Sequence, residues 1–251
     1  MLPHQRHLDI LRTLDRQGAV KVSETAHRLN VTEETIRRDL DKLEEEGLLA
    51  RTHGGAVPRE SFNQPLPYSA REVSQVEEKR KIAKLALAEI EEGDAVFLDG
   101  STTAYQLARV FPDIRCTVLT HSEPILAELA SRTNIELLST GGLYDRRSAS
   151  FVGPLAEQML SLCQINKVFM GCKGLDFKRG LSDASVRHMN LKRSVTHWAE
   201  KVYIMADHSK FDVRSRFFFA SLQDIHVIIT DRPVQAPHEA ALRKAGVKVV
   251  C

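Results

Sequence analysis

Residues 23–55 read SETAHRLNVTEETIRRDLDKLEEEGLLARTHGG. Ser23 is placed to cap a helix running to Leu29, because its hydroxyl can accept one of the first unpaired helix N–H groups. Asn30 reads as the turn, since asparagine tolerates the left-handed backbone region. Thr32 then caps a second helix, whose buried stripe is Ile36, Leu40 and Leu43, and Gly47 ends it. LLARTHGGA supplies two short extended arms around a Gly54-Gly55 turn, which describes a wing. Upstream, residues 5–17 place Leu8, Leu11 and Leu14 at three-residue spacing beside Ile10, an amphipathic helix ended by Gly18, and AVKV is a short extended segment. Three helices and a wing make a winged helix-turn-helix.

That architecture reads DNA, and the residue types fit the task. The second helix presents Thr32, Glu33, Glu34, Thr35, Arg37 and Arg38 on its N-terminal half and exposed face, the part that enters a major groove. Glutamate can accept from cytosine N4, and arginine can bind guanine bidentately or clamp a phosphate. Ser23 belongs to the same surface. Arg51, Thr52 and His53, beside Gly54 and Gly55, let the wing approach a phosphate. A solvated helical face would use the same charged residues, and the wing is what favours DNA. Charge alone does not decide. The chain carries a net charge of only +2, and residues 1–60 hold ten Lys/Arg against eleven Asp/Glu. Operator affinity must therefore rest on a few placed cations, Arg37, Arg38 and Arg51, rather than on a broad basic surface.

The remaining chain has another character. With 251 residues, 43% hydrophobic and 27% charged, the length suits one small and one medium domain. The boundaries read 1–57 for the DNA-binding unit, 58–73 for a linker holding three prolines, and 74–251 for an α/β unit. Ser74 and Glu77 form a capping-box pair at its first helix, which ends at Gly93. The runs AVFLD, CTVLT, IELLS, KVFMG, KVYIMA, HVIIT and VKVV alternate with helical stretches. Continuous apolar strands separated by helices point to a mostly parallel, Rossmann-like sheet covered on both faces. No apolar run approaches the ~18 residues that span a membrane, so the expected location is the cytoplasm. The four scattered cysteines, with no CxxC pair, argue against a structural zinc or a disulfide framework.

Ligands of open α/β sheets sit beyond the carboxyl ends of the strands, and those ends are polar here. FLDGSTTAYQLA leaves a strand at Asp99, turns at Gly100, and opens a helix with Ser101, Thr102 and Thr103, where the helix dipole favours an anion. A capped helix start is the better explanation of these residues in isolation. Further ends add Thr120, His121 and Ser122, then Gly141 and Gly142 with Arg147 near, then Lys173 and Gly174, and finally Asp207, Ser209 and Lys210. Several such ends would form one phosphate-binding crevice. Neither GxGxxG nor GxxxxGK[ST] is present, so no nucleotide cofactor is implied.

TIRRDLDKLEEEGLLARTHGGA closely resembles the signature of the DeoR-type bacterial transcriptional regulators, which join a winged helix-turn-helix to a sugar-phosphate-sensing domain. The resemblance covers nearly the whole chain. It implies a repressor of a carbohydrate operon that binds double-stranded operator DNA as a homodimer or homotetramer and answers to a phosphorylated sugar, with no cofactor and no catalysis. It also implies a sensor similar to ribose-5-phosphate isomerase, with the DGSTT loop holding phosphate and Lys173, Asp207 and Lys210 lining the sugar. FLDGSTT, LARVFPDI and LLSTGG look nearest to the fucose-operon subgroup.

One departure stands out. Many members carry a glutamate a few residues before the Lys-Arg pair of ASVRHMNLKRS, where this chain has His188. An isomerase would need a carboxylate base there. The enzyme alternative is left with Asp99, Asp176, Asp183 and Asp207, and His188 reads equally well as a surface helix residue. His4 and His7 read as surface residues near the terminus, and the Phe217–Phe219 run and Trp198 as core or interface.

Overall fold

The computed structural model describes residues 2–58 and 66–251. Residues 59–65 of the expected linker lie outside the described residues. The chain divides into two compact units, Met1–Val76 and Glu77–Cys251.

In the first unit, helices α1 (Pro3–Gln17), α2 (Val22–Leu29) and α3 (Glu33–Glu45) surround strands β1 (Val20–Lys21), β2 (Leu49–Thr52) and β3 (Gly55–Pro58), and α4 (Tyr68–Val73) follows. Their apolar faces meet in one core that includes Ile10, Leu14, Val22, Ile36, Leu40, Leu43 and Leu49, each nearly solvent-free. Gly18 at φ 71° and Asn30 at φ 52° end α1 and α2 in the left-handed region. Thr32 accepts the Thr35 N–H at 3.2 Å, as its capping role requires.

Three local expectations shift. Helix α2 begins at Val22, with Lys21 at the cap position, so Ser23 is an exposed residue inside the helix. The cause is tertiary: the Val22 N–H is satisfied at 2.9 Å by the Gly54 carbonyl, so no hydroxyl cap is needed. The wing turn is His53-Gly54, because Thr52 pairs with Gly55 and Gly55 is already strand. The stretch read as linker is helical from Tyr68 to Val73, and Ala70 and Val73 join the core.

The seven apolar runs of the second unit form one parallel sheet: β4 (Ala95–Leu98), β5 (Cys116–Thr120), β6 (Ile135–Ser139), β9 (Lys167–Met170), β12 (Lys201–Met205), β14 (Val227–Ile229) and β15 (Lys248–Val250). Their order is β15-β14-β12-β9-β4-β5-β6. Alternate residues face opposite layers. Val96 and Leu98 pack toward α5 (Val76–Leu87), α6 (Thr102–Val110) and α7 (Glu123–Leu129). Phe97 packs the other way, into the core lined by α8 (Pro154–Ser161), α9 (Val186–Trp198) and α10 (Ala236–Lys244).

Two antiparallel additions escaped the sequence. One is the hairpin of β7 (Leu143–Asp145) and β8 (Ser150–Val152); the other is the small sheet of β10 (Gly174–Asp176), β11 (Gly180–Asp183) and β13 (Phe217–Ala220). The phenylalanine run is therefore a strand, with Phe219 buried in the core, whereas Trp198 at the end of α9 is half exposed. The first helix begins at Val76, one residue later than the Ser74 cap implies, and Ser74 donates to the Arg71 carbonyl. No described helix is long and apolar enough to cross a membrane.

Candidate functional site

On the first unit, Thr32, Glu33, Glu34, Arg37 and Arg38 are exposed along α3, with Thr35 partly covered. The cations are not idle. Arg37 lies 2.5 Å from Glu33 and 3.8 Å from Glu34, and Arg38 lies 3.3 Å from Glu34. Arg51 binds Asp41 at 3.0 Å and donates to the Gly55 carbonyl at 3.1 Å. Exposed pairs of this kind contribute about 0–1 kcal/mol, so a phosphate or a base edge can displace the carboxylate at little cost. Thr52, His53 and Gly54 are exposed at the wing tip, while Gly55 is buried against β1.

The face is held by an ion cluster that the sequence did not reveal. Asp39, on the buried side of α3, accepts from Arg6 through both oxygens and lies 3.0 Å from His7 Nε2. His7 is thus a packed residue of α1, 13% exposed, rather than a surface one. Asp39 raises the Arg6 guanidinium above its ordinary value by hydrogen bonding, against the cost of burial. Since α1 and α3 each contribute a partner, the pairing fixes how α3 presents Arg37 and Arg38.

In the second unit, the loops after β4, β5 and β9 meet beside α9. Asp99 is fully buried. Its carboxylate accepts N–H bonds from Ser101 and Gly171, each at 3.0 Å, tying the β4 loop to the β9 loop. Lys192 of α9 reaches in and donates to the Gly171 carbonyl at 2.7 Å and to Asp183 at 2.8 Å. Its ammonium also lies 3.2 Å from Asp99. Burial opposes the charge on Asp183, but Lys192 and His188 outweigh it and hold that carboxyl far below the usual range. Burial likewise opposes the Lys192 charge, and Asp183 and Asp99 raise it above the ordinary lysine value. Burial pushes the partly buried Cys172 thiol up to about 12, so it stays protonated.

The DGSTT turn sits on this frame. Ser101 caps α6 by accepting the Ala104 N–H at 3.1 Å, and Thr102 and Thr103 are buried in its first turn. The Gly100 N–H donates to His121 Nε2. A side chain at position 100 would come within 2.9 Å of that nitrogen, so the close approach requires glycine. His121 in turn meets His188 with ring centroids 5.4 Å apart, and His188 Nε2 lies 3.5 Å from the Ser150 hydroxyl. His188 is consequently a buried partner in the crevice, not a surface residue of the helix.

The other named residues spread around this centre. Thr120 donates to the Leu98 carbonyl at 2.7 Å and accepts the Ser122 N–H, bracing the β4 and β5 ends. Gly141 and Gly142 take positive φ after β6, and Arg147 lies in the β7–β8 turn beside Asp145. Lys173 is exposed and pairs through its backbone with Ser182, while Gly174 fits where a side chain would strike the Val213 carbonyl at 2.3 Å. Asp207 caps the short turn after β12, accepting from the Ser209 backbone and hydroxyl, with Lys210 3.5 Å away. Lys192, Asp183 and Ser150 are members of this polar cluster that sequence reasoning did not name among the candidate effector residues. Only tertiary pairing marks them.

His121 makes this site sensitive to acid. Burial, with His188 and Lys192 adding repulsion, holds its ring well below the ordinary imidazole value. The unfolded chain therefore takes up a proton below about pH 6.5 that the folded chain refuses, and stability falls as pH drops. The expected slope is about 1.4 kcal/mol per pH unit below that point, a threshold above the carboxylate range. Thermal midpoints measured from pH 7.5 to 5 should show it in the wild type. They should lack that component in His121→Gln.

The comparisons with known proteins agree with this arrangement. A model of the DeoR-like helix-turn-helix domain matches residues 6–62, and one of the DeoR C terminal sensor domain matches residues 74–232. The uncharacterized HTH-type transcriptional regulator YulB of Bacillus subtilis is 41% identical over 249 residues, covering 99% of this chain and 96% of that protein. The HTH-type transcriptional regulator GlpR of Haloferax volcanii is 37% identical, covering 100% of this chain and 98% of that protein. The L-fucose operon activator of Haemophilus influenzae is 36% identical, with coverages of 89% and 90%. Among solved structures, ribose 5-phosphate isomerase A of Methanocaldococcus jannaschii aligns at 16% identity and a TM-score of 0.41 over 55% of each chain.

Proposed function

The chain belongs to the DeoR family of helix-turn-helix transcriptional regulators, and from that premise we propose how its two units divide the work. Helix α3 enters the major groove of operator DNA. Thr32, Glu33, Glu34, Thr35, Arg37 and Arg38 face bases and flanking phosphates, while Ser23 and the wing residues 51–54 contact the backbone and buried Gly55 lets β3 close on β1. The second unit takes a phosphorylated sugar in the crevice beyond the sheet. Its phosphate sits at the N-terminus of α6, over the DGSTT turn, where helix dipole and N–H groups favour an anion. Two or four copies read the operator together in the cytoplasm, and the bound sugar shifts operator affinity through its preference for one arrangement of the reading heads. Such coupling is worth about 1–3 kcal/mol.

One observation carries this reading. The same chain presents an exposed, cation-bearing second helix of a helix-turn-helix and a parallel sheet whose β4, β5 and β9 ends are tied together by polar side chains. Relatives of this chain are named as transcriptional regulators, and two of the four aspartates open to the isomerase alternative, Asp99 and Asp207, are engaged within the fold. Both Asp99 oxygens accept backbone N–H groups, and the Asp207 carboxylate is taken by Ser209 and Lys210.

Promoter DNA flanking the gene, titrated with the protein at fixed salt, tests both halves. Arg37→Ala should weaken specific binding by roughly 5–150-fold, the worth of one bidentate base contact, and leave sugar-phosphate binding unchanged. Unaltered DNA binding would remove Arg37 from the interface. Thr102→Ala with Thr103→Ala should bind DNA normally and lose the response to sugar phosphate. A retained response would place the phosphate elsewhere.

A further inference from the structure

The three cations assigned to DNA are all paired. Arg37, Arg38 and Arg51 face the carboxylates of Glu33, Glu34 and Asp41. A denser cationic group lies in the second unit, on the small sheet of β10, β11 and β13. The β10–β11 turn carries Lys178 and Arg179, and the segment entering β13 carries Arg214 and Arg216, all four exposed. One acid stands among them, and it is spent. Asp176 is buried, accepts the backbone N–H groups of Lys178 and Arg179 at 2.9 and 2.7 Å, and lies 2.5 Å from Arg214 Nε. Lys178, Arg179 and Arg216 form no ion pair among the described residues.

The sheet gathers this charge and fixes part of it. Phe219 enters the core, so alternation along β13 puts Phe218 on the opposite face. Arg179 lies over the Phe218 ring, its guanidinium carbon 4.1 Å from the centroid. A guanidinium stacked in this way keeps its planar N–H fork available for the oxygens of an anion. Arg214 reaches Asp176 from the β13 side, which draws the two cationic segments together. Four cations around one engaged carboxylate repel one another, and an external polyanion relieves that repulsion.

We infer that Lys178, Arg179, Arg214 and Arg216 form a second contact with the phosphate backbone of duplex DNA, apart from the helix-turn-helix and wing. The inference rests on the operator reading above and adds a source for the electrostatic attraction. Residues 1–60 hold ten Lys/Arg against eleven Asp/Glu, so the first unit brings no net charge to draw a polyanion. Phosphate contacts of this kind carry no base information. They raise affinity for operator and unrelated duplex alike and make both depend on salt.

Fluorescence anisotropy of the full chain on labelled promoter fragments, from 50 to 200 mM potassium chloride, tests it. The triple variant Lys178→Gln, Arg179→Gln and Arg216→Gln should show a salt slope shallower by about 2–3, at roughly 0.9 per phosphate contact. Over that range the wild type should lose about 40-fold more affinity than the variant. The variant's preference for promoter over scrambled duplex should stay within about twofold of the wild type. Lys178→Arg with Arg216→Lys, which keeps both charges, should keep the wild-type slope. Should the triple variant not fold, Lys178→Gln with Arg216→Gln removes two exposed side chains and should still flatten the slope by about 2. An unchanged slope in the glutamine variants overturns the inference and leaves the operator reading standing. A flattened slope accompanied by a lower assembly mass in sedimentation overturns it too, since the cations would then join copies of the chain. A wild type that binds no promoter fragment overturns the operator reading and this inference with it.

Discussion

Lys192→Met is expected to destabilise the second unit by about 3–5 kcal/mol, because it strips the cation from two carboxylates that stay in place. Asp99 is fully buried and Asp183 largely so, and Lys192 is the cation that both of them face. The two acids are not equally exposed to the loss. Asp99 keeps N–H donors on both oxygens, whereas Asp183 keeps only the Ser185 N–H on one. Adding Asp183→Asn to Lys192→Met should therefore recover much of the deficit, since the amide retains that acceptor and carries no charge. Such a loss corresponds to roughly 6–20 °C in the midpoint of a unit this size. Differential scanning calorimetry of the single and double variants checks it. A single variant within 1 kcal/mol of wild type, on the scale of an exposed pair, would mean that solvent reaches the site and replaces the cation. Ligand response should fail in Lys192→Met even below its midpoint, because the Gly171 carbonyl and the β4 turn lose their common anchor.

How much of this was legible follows from which residues carry local information. All seven strands of the main sheet could be drawn because a strand buried on both faces is a continuous apolar run, as in Val96-Phe97-Leu98. The β7–β8 hairpin and the β10–β11 pair could not, because Gly, Asp and Ser interrupt their apolar residues, and the apolar run Phe217–Ala220 pairs with β11 rather than with the main sheet. The crevice was legible in position, since strand ends at Asp99, Thr120 and Gly171 are polar and glycine-rich. Its wiring was not. Lys192 sits on a helix after β11, distant in sequence from Asp99, and nothing in ASVRHMNLKRS tells a solvated lysine from one that ties two loops together. His188 and His7 read as surface residues for the same reason. An isolated imidazole gives no sign of whether a partner will fold onto it, and here Ser150 with His121 and Asp39 do so.

The two wing glycines make the sharpest contrast in the first unit, and Gly55→Ala is expected to cost it about 2–4 kcal/mol. A Cβ at position 55 would stand 1.8 Å from the Val20 carbonyl oxygen and 2.9 Å from its carbon. Both are backbone atoms, so no rotamer can yield, and β1 must part from β3. That separation loses the Val20–Ala56 and Lys21–Gly55 pairings and the Val22 N–H bond to Gly54, which starts α2 without a side-chain cap. It also displaces the Gly55 carbonyl that holds Arg51. Gly54, one residue earlier, meets nothing within 4 Å and has no left-handed φ, so Gly54→Ala should be neutral or stabilise by about 0.4–1 kcal/mol. Amide hydrogen exchange separates the outcomes. Gly55→Ala should lose protection at Val22 and along β3 while the parallel sheet of the second unit stays protected, and Gly54→Ala should match the wild type. DNA affinity should fall in Gly55→Ala even where the unit remains folded, because Arg51 and the wing tip no longer keep their place beside α3. If Gly55→Ala proves as benign as Gly54→Ala, β1 is not held against the wing in solution, and the α2 start must be satisfied in some other way.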